Sequence, residues 1–240
     1  MKRLRVLVGL GLVVLGSGVS AENTPILVEL FTSEGCSSCP PADNLLQKLD
    51  RGQPIAGAQV IVLSEHVDYW NRIGWADPYS SAAFSARQQV YARRFNTNGP
   101  YTPQMVVNGR SEFVGSDARA AESAIREEVK QAGTEVRIGA GEKSATIEVD
   151  ALPAKTAHKA NVYLAYAADE GSQDVLRGEN KGRRLHHVAI VKELKQIGTV
   201  DGHAGFRGEV PVEKGMRIVV FAQEPGNGPV WGVAMRPAGQ

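Results

Sequence analysis

Cysteine is almost missing from this chain, with two residues among 240. So few exclude a framework of structural disulfides. Charge of one sign is lacking as well: 27 Lys and Arg face 26 Asp and Glu, a formal net charge of +1. That balance removes any broad electrostatic case for binding nucleic acid. Long apolar runs are absent: the run from Val6 to Leu15 falls short of the roughly 20 residues that cross a bilayer. There is no Met-rich stretch, no fixed-period repeat and no low-complexity tract, which excludes solenoid and fibrous architectures. What remains is 42% hydrophobic and 22% charged, the composition of a globular protein with one large or two modest domains.

The first segment reads as a targeting signal. Lys2, Arg3 and Arg5 precede the apolar run, and small residues from Gly16 lead to Val19-Ser20-Ala21. Positive start, short apolar middle and small residues at the cut make up a secretory signal peptide, with cleavage expected after Ala21. No cysteine stands at the cut, so lipid attachment is not expected. Export to the periplasm or the exterior follows, with no membrane span left after cleavage. The mature chain then holds 24 basic and 26 acidic residues.

Along the mature chain, Pro25 to Phe31 is a short apolar run with β-formers, a buried strand. Pro40-Pro41 followed by Leu45, Leu46 and Leu49 indicates a helix beginning at or near Cys36. Ala58 to His66 is a second strand, Ser81 to Phe95 a second helix, and Asn108-Gly109 between Met105-Val106-Val107 and Arg110 to Val114 is a hairpin turn. Ser116-Asp117 caps a third helix that Gly133 closes. After Gly133 the character changes to short strands punctuated by Gly, Pro and Asn. This order predicts residues 1–21 as signal peptide, an α/β domain with a central mixed sheet flanked by helices over 22–133, and an all-β, sandwich-like domain over 134–240.

The two cysteines lie three apart in Cys36-Ser37-Ser38-Cys39. A bridge across so small a loop adds little stability, since loop-entropy stabilisation grows with loop length. Placed at a helix N-terminus, the pair suits thiol chemistry: the dipole and free amides favour the thiolate of Cys36, and Cys39 resolves the mixed disulfide. The alternatives are metal binding and an inert bridge. Glu29 is a carboxylate inside an apolar strand, costly unless paired or protonated, and a candidate proton relay.

The sequence resembles the thioredoxin-fold superfamily through Ile26-Leu27-Val28-Glu29 leading into Cys36-Ser37-Ser38-Cys39-Pro40, Thr102-Pro103 opening a later strand, and the Asn108-Gly109 hairpin with its final helix. The resemblance implies that Pro103 is a cis-proline facing the cysteines, and that Thr102, Tyr101 and Trp70 help to seat a substrate backbone. It also places Glu29 near the buried acid that thioredoxins carry before the first cysteine. More closely, Phe31-Thr32-Ser33-Glu34-Gly35-Cys36, Pro40-Pro41-Ala42-Asp43, His66-Val67-Asp68-Tyr69-Trp70, Gly74-Trp75, Arg87-Gln88 and Tyr101-Thr102-Pro103-Gln104 resemble a family of secreted bacterial thioredoxin-like proteins of unknown function, with Gly178-Glu179-Asn180 through His187 a weaker continuation.

Three functions follow as expectations. The first is an exported thiol–disulfide oxidoreductase that needs no cofactor and whose partner is a thiol- or disulfide-bearing protein or a small thiol, with no nucleic acid. The second is a copper-binding and delivery module using Cys36, Cys39 and His66. The third is a non-catalytic binding protein whose β-rich half supplies the function. Tyr69, Trp70 and Trp75 serve either as a docking surface or as loop packing. Arg183, Arg184, His186 and His187 form either an anion patch or a solvated strand edge.

Overall fold

The computed structural model describes residues 23–154 and 159–239. The expected leader lies outside the described residues. Strand β1 (Thr24–Thr32) is buried along nearly its whole length. Side chains alternate across a strand, so an unbroken apolar run needs cover on both faces. Ile26, Val28 and Leu30 meet Leu46, Leu49 and Ile125 on one face, while Leu27 meets Ile61, Leu63 and Phe84 on the other.

Helix α1 (Pro40–Gly52) begins with its prolines rather than at Cys36, and Cys39 is its N-cap residue. Proline has no N–H and is accommodated where helix amides have no partner anyway, so Pro40 and Pro41 set the start. Cys36 lies in the turn before the helix, where its carbonyl accepts from the Cys39 N–H at 3.2 Å. Strand β2 (Ala58–His66) runs parallel to β1 from Thr24 opposite Ala58 to Thr32 opposite His66. Helix α2 (Ala82–Arg94) is capped by the Ser81 hydroxyl, which accepts from the Ala83 N–H. Strands β3 (Gln104–Val107) and β4 (Ser111–Val114) form the expected hairpin, with Asn108 and Gly109 at φ of 45° and 62°. Positive φ at both positions is what a type I′ turn demands. Helix α3 (Ala118–Glu128) is capped by Asp117.

The remaining elements are β5 (Val136–Ile138), β6 (Ser144–Val149), β7 (Lys159–Asp174), β8 (Arg184–Asp201), β9 (Phe206–Pro211), β10 (Met216–Gln223) and β11 (Val230–Arg236). They overturn the expected fold class. Strand β8 pairs parallel to β2 with Ser64 opposite Ile190, and β7, β10 and β11 continue outward from it. The result is one mixed eight-stranded sheet in the order β11-β10-β7-β8-β2-β1-β3-β4, with a separate three-stranded sheet β5-β6-β9. It is not a helix-flanked thioredoxin-like domain followed by a separate sandwich. The outer edge of β2 needs hydrogen-bond partners, and a distant strand supplies them. Local periodicity carries no trace of that pairing.

The smaller sheet packs Ile147 and Val149 against Val162, Leu164 and Val220 of the larger one. The far end of the large sheet also returns to its beginning. The Val230 N–H donates to the Asn108 carbonyl at 2.8 Å, and Asn108 Oδ1 accepts from the Leu27 N–H at 2.8 Å. Among the described residues no helix is long and apolar enough to cross a membrane.

Candidate functional site

Beyond Thr32 the chain turns through Ser33-Glu34-Gly35, and the Cys36 N–H donates to the Ser33 carbonyl at 3.1 Å. Cys36 and Cys39 are joined in a disulfide with Cα atoms 5.5 Å apart. A side-chain carbon on Gly35 would lie 3.0 Å from Trp70 Cβ, so the glycine admits the indole against the cysteine turn. Trp70 Nε1 in turn donates to Thr102 Oγ1 at 2.7 Å. The Thr102–Pro103 bond is cis. Pro103 stands beside the first turn of α1: a side-chain carbon on Gly115 would touch both Ala42 Cβ and Pro103 Cβ at 3.2 Å. Trp70 thus stands against the cysteine turn and holds Thr102, and Pro103 stands beside the first turn of α1. Tyr101 is engaged elsewhere, its hydroxyl on Glu112 at 2.6 Å and its carbonyl on Gln88 Nε2 at 2.6 Å.

Both cysteines are 0% exposed. The cover comes from the tip of the β7–β8 hairpin. Glu179 Oε2 accepts from the Ser37 N–H at 3.0 Å, while Asn180 Nδ2 donates to the carbonyls of Glu34 and Cys36 at 2.9 and 2.8 Å. Gly178 and Gly182 flank these contacts at φ of 75° and 80°, a region open to glycine without strain. Loss of the two Asn180 bonds removes roughly 1–2 kcal/mol from the closed arrangement. An Asn180→Ala protein should therefore let a water-soluble dithiol reduce the disulfide about 10-fold faster, followed by thiol labelling. An unchanged rate would mean that the hairpin tip does not limit access.

A buried imidazole meets two buried carboxylates, Glu34 of the cysteine turn and Asp43 of α1. His187, on β8, places Nε2 3.3 Å from Glu34 Oε1 and Nδ1 3.8 Å from Asp43 Oδ1. The second distance is too long for a hydrogen bond, so that pair interacts as charges. Burial alone would lower the His187 pKa, but Asp43 and Glu34 outweigh it and push it up to about 10. Asp43 also accepts from the Thr32 hydroxyl at 2.8 Å, and its own N–H donates to the Cys39 carbonyl at 3.1 Å. Glu34 Oε2 accepts from Trp75 Nε1 at 2.8 Å.

His66 stands edge-on to His187, ring centroids 4.6 Å apart, with Nδ1 2.7 Å from Asp77. Burial raises the Asp77 pKa, yet His66 and the N–H groups of Glu34 and Tyr79 bring it below its usual value. Among the described residues no three His, Cys, Asp or Glu side chains are arranged to hold a metal ion.

Glu29 belongs to a different network. Its Oε1 accepts from Arg87 Nε at 2.6 Å, and its Oε2 from the Tyr91 hydroxyl. The bonds that hold it therefore run to α2. The basic patch is divided too: Arg184 pairs with Asp174, Arg183 with Asn180, and His187 is buried.

A family model described as a protein of unknown function, DUF1223, matches residues 27–223. The chain belongs to the DUF1223 family. This match crosses the boundary expected at residue 133, as the shared sheet does. Among solved structures, a protein of Agrobacterium tumefaciens is similar to this DUF1223 chain at 28% identity and a TM-score of 0.74, covering 91% of this chain and 96% of that one. HBP35 of Porphyromonas gingivalis shares the fold at 13% identity and a TM-score of 0.60, over 90% of this chain and 76% of its own. No curated protein matches the chain.

Sequence reading alone did not single out Glu34, Asp43, Asp77 or Asn180 as a group. The signals lay apart: Asp43 in the first turn after Cys39-Pro40-Pro41, Asn180 inside the weak second-half motif. Only the β2–β8 pairing brings the DUF1223 segments together.

Proposed function

We propose that this DUF1223 protein is an exported thiol–disulfide oxidoreductase acting through Cys36 and Cys39. The observation that carries the reading is the juxtaposition of this disulfide, the N-terminus of α1 and the cis Thr102–Pro103 bond. The likeness to thioredoxin-type proteins lies in this local chemistry and not in the architecture. In one direction, the Cys36 thiolate attacks a substrate disulfide and expels one substrate thiolate. Cys39 then attacks the mixed disulfide and frees the second, so the substrate gains the two electrons that the cysteine pair loses. The reverse sequence oxidises a substrate dithiol. The dipole of α1, at whose start the pair stands, favours the anionic sulfur, and Thr102 with Pro103 lines the approach.

The test is the reactivity of Cys36 in a Cys39→Ser protein. Toward a peptide disulfide at pH 7 it should react at least about 10-fold faster than a thiol of ordinary pKa, about 8.5, and leave a stable mixed disulfide. A Cys36 that stays unreactive even when Asn180→Ala loosens the cover would overturn the reading. Copper delivery would need a third ligand beside the cysteines, and among the described residues no group of three His, Cys, Asp or Glu is arranged to hold a metal.

A further inference from the structure

The hairpin tip that closes over the cysteines has an outer face, and its chemistry differs from the inner one. Inward, Asn180 and Glu179 spend their polar groups on Glu34, Cys36 and Ser37. Outward stand Leu176, Arg177 and Lys181. Residues 71–76, which carry Arg72 and Ile73, run alongside: a side-chain carbon on Gly178 would lie 3.2 Å from Trp75 Cβ. Between the two segments is a groove of about 570 Å³ lined by Asn71, Arg72, Trp75, Leu176 and Arg177.

Two features of this groove call for a partner. Three large hydrophobic residues are exposed among those described, Ile73, Val114 and Leu176, and two of them stand here at 57% and 67%. An exposed leucine alone needs no explanation, but Leu176 lining the groove, with Ile73 exposed in the segment that forms its other side, does. The second feature is charge. Arg72, Arg177 and Lys181 make no salt bridge among the described residues, while the local acid, Glu179, is turned to the Ser37 N–H, which lowers its pKa. The outer face therefore offers cations around an apolar strip.

We propose that this groove is the docking surface for the polypeptide substrate of the cysteine site, and that it selects a segment in which carboxylates flank a large apolar residue. The proposal rests on the redox reading for its purpose and names the substrate class. Carboxylates pair with Arg72 and Arg177 at the rim, and the apolar side chain covers Leu176. Docking there engages the same tip that hides Cys36 and Cys39. A small thiol spans none of these contacts together.

The test uses short fluorescent peptides and the oxidised mature chain, with anisotropy as the readout. One peptide carries leucine between glutamates, a second leucine between lysines, and a third serine between glutamates. The Glu-Leu-Glu type should bind most tightly, and more weakly as salt rises. An Arg72→Glu, Arg177→Glu protein should bind it about 10-fold more weakly, and Leu176→Ser should also weaken it, with urea midpoints unchanged for both. Equal binding of the lysine peptide, an unaltered affinity in the charge-reversed protein, or no saturable binding of any peptide would overturn the proposal. The Cys36→Ser, Cys39→Ser protein separates the two ideas: it should keep peptide binding while losing all exchange chemistry. Docking in that protein together with an unreactive Cys36 in the Cys39→Ser test would sink the redox reading and leave the docking surface standing.

Discussion

Replacing His187 with glutamine should lower stability near pH 7 by about 3–5 kcal/mol, because it leaves Glu34 and Asp43 buried without the cation between them. The pH dependence gives the sharper test. His187 is raised from 6.5 to about 10 in the folded protein, so folding binds its proton more tightly than the unfolded chain does. Its contribution is fully present below pH 6.5 and is lost as pH rises through about 10, a change of at most roughly 5 kcal/mol. Urea unfolding across that interval should show wild-type stability falling while the glutamine variant stays nearly flat. Parallel curves for the two proteins would show that His187 is not charged in the fold.

Arg87→Met should cost a similar amount, about 3–5 kcal/mol, through loss of the only cation that pairs with Glu29 and Glu65 among the described residues. The guanidinium ties α2 to the last strands: it donates to Gln223 Oε1 at 2.9 Å and to Asn227 Oδ1 at 3.2 Å, and lies over the rings of Tyr91, Tyr163 and Phe221. One cation cannot neutralise two buried carboxylates. Burial first, and then the Glu29 charge, raise the Glu65 pKa well above its usual value, and neither Glu65 oxygen has a hydrogen-bond partner. Glu65 thus sits best as the neutral acid. Methionine fills the arginine's volume without charge, so the variant leaves the buried Glu29 carboxylate facing no cation. A second change, Glu29→Gln, should then restore part of the loss at pH 7. An Arg87→Met protein that Glu29→Gln does not rescue would reduce the network to packing alone.

Much of the local structure was legible before any coordinates. The β1 run, the Ala58–His66 strand, the Ser81 and Asp117 caps and the Asn108-Gly109 turn each follow from residues within a few positions of one another. The start of α1 was displaced because the Pro40-Pro41 pair, and not the cysteines, sets the first helical residue. Glu29 was readable as a lone carboxylate in an apolar strand, but its partners, Arg87 and Tyr91, stand on a helix whose facing cannot be read from β1. His66, read as a possible metal ligand, holds Asp77 through Nδ1, while its Nε2 has no hydrogen-bond partner.

By itself the sequence determined the residues to which the proposed chemistry is assigned: the two cysteines, the proline at 103 and the elements that carry them are written in contiguous residues, through backbone preference, capping and period-two burial. Only the tertiary structure decided what surrounds that chemistry. Strand β8 closes the edge of β2, and in doing so brings His187 to Glu34 of the cysteine turn and the hairpin before it, with Asn180, to the Cys36 carbonyl. Strand pairing between residues so far apart is selected by the free energy of the whole sheet, through shared hydrogen bonds and two-sided burial. No local window of sequence contains that sum.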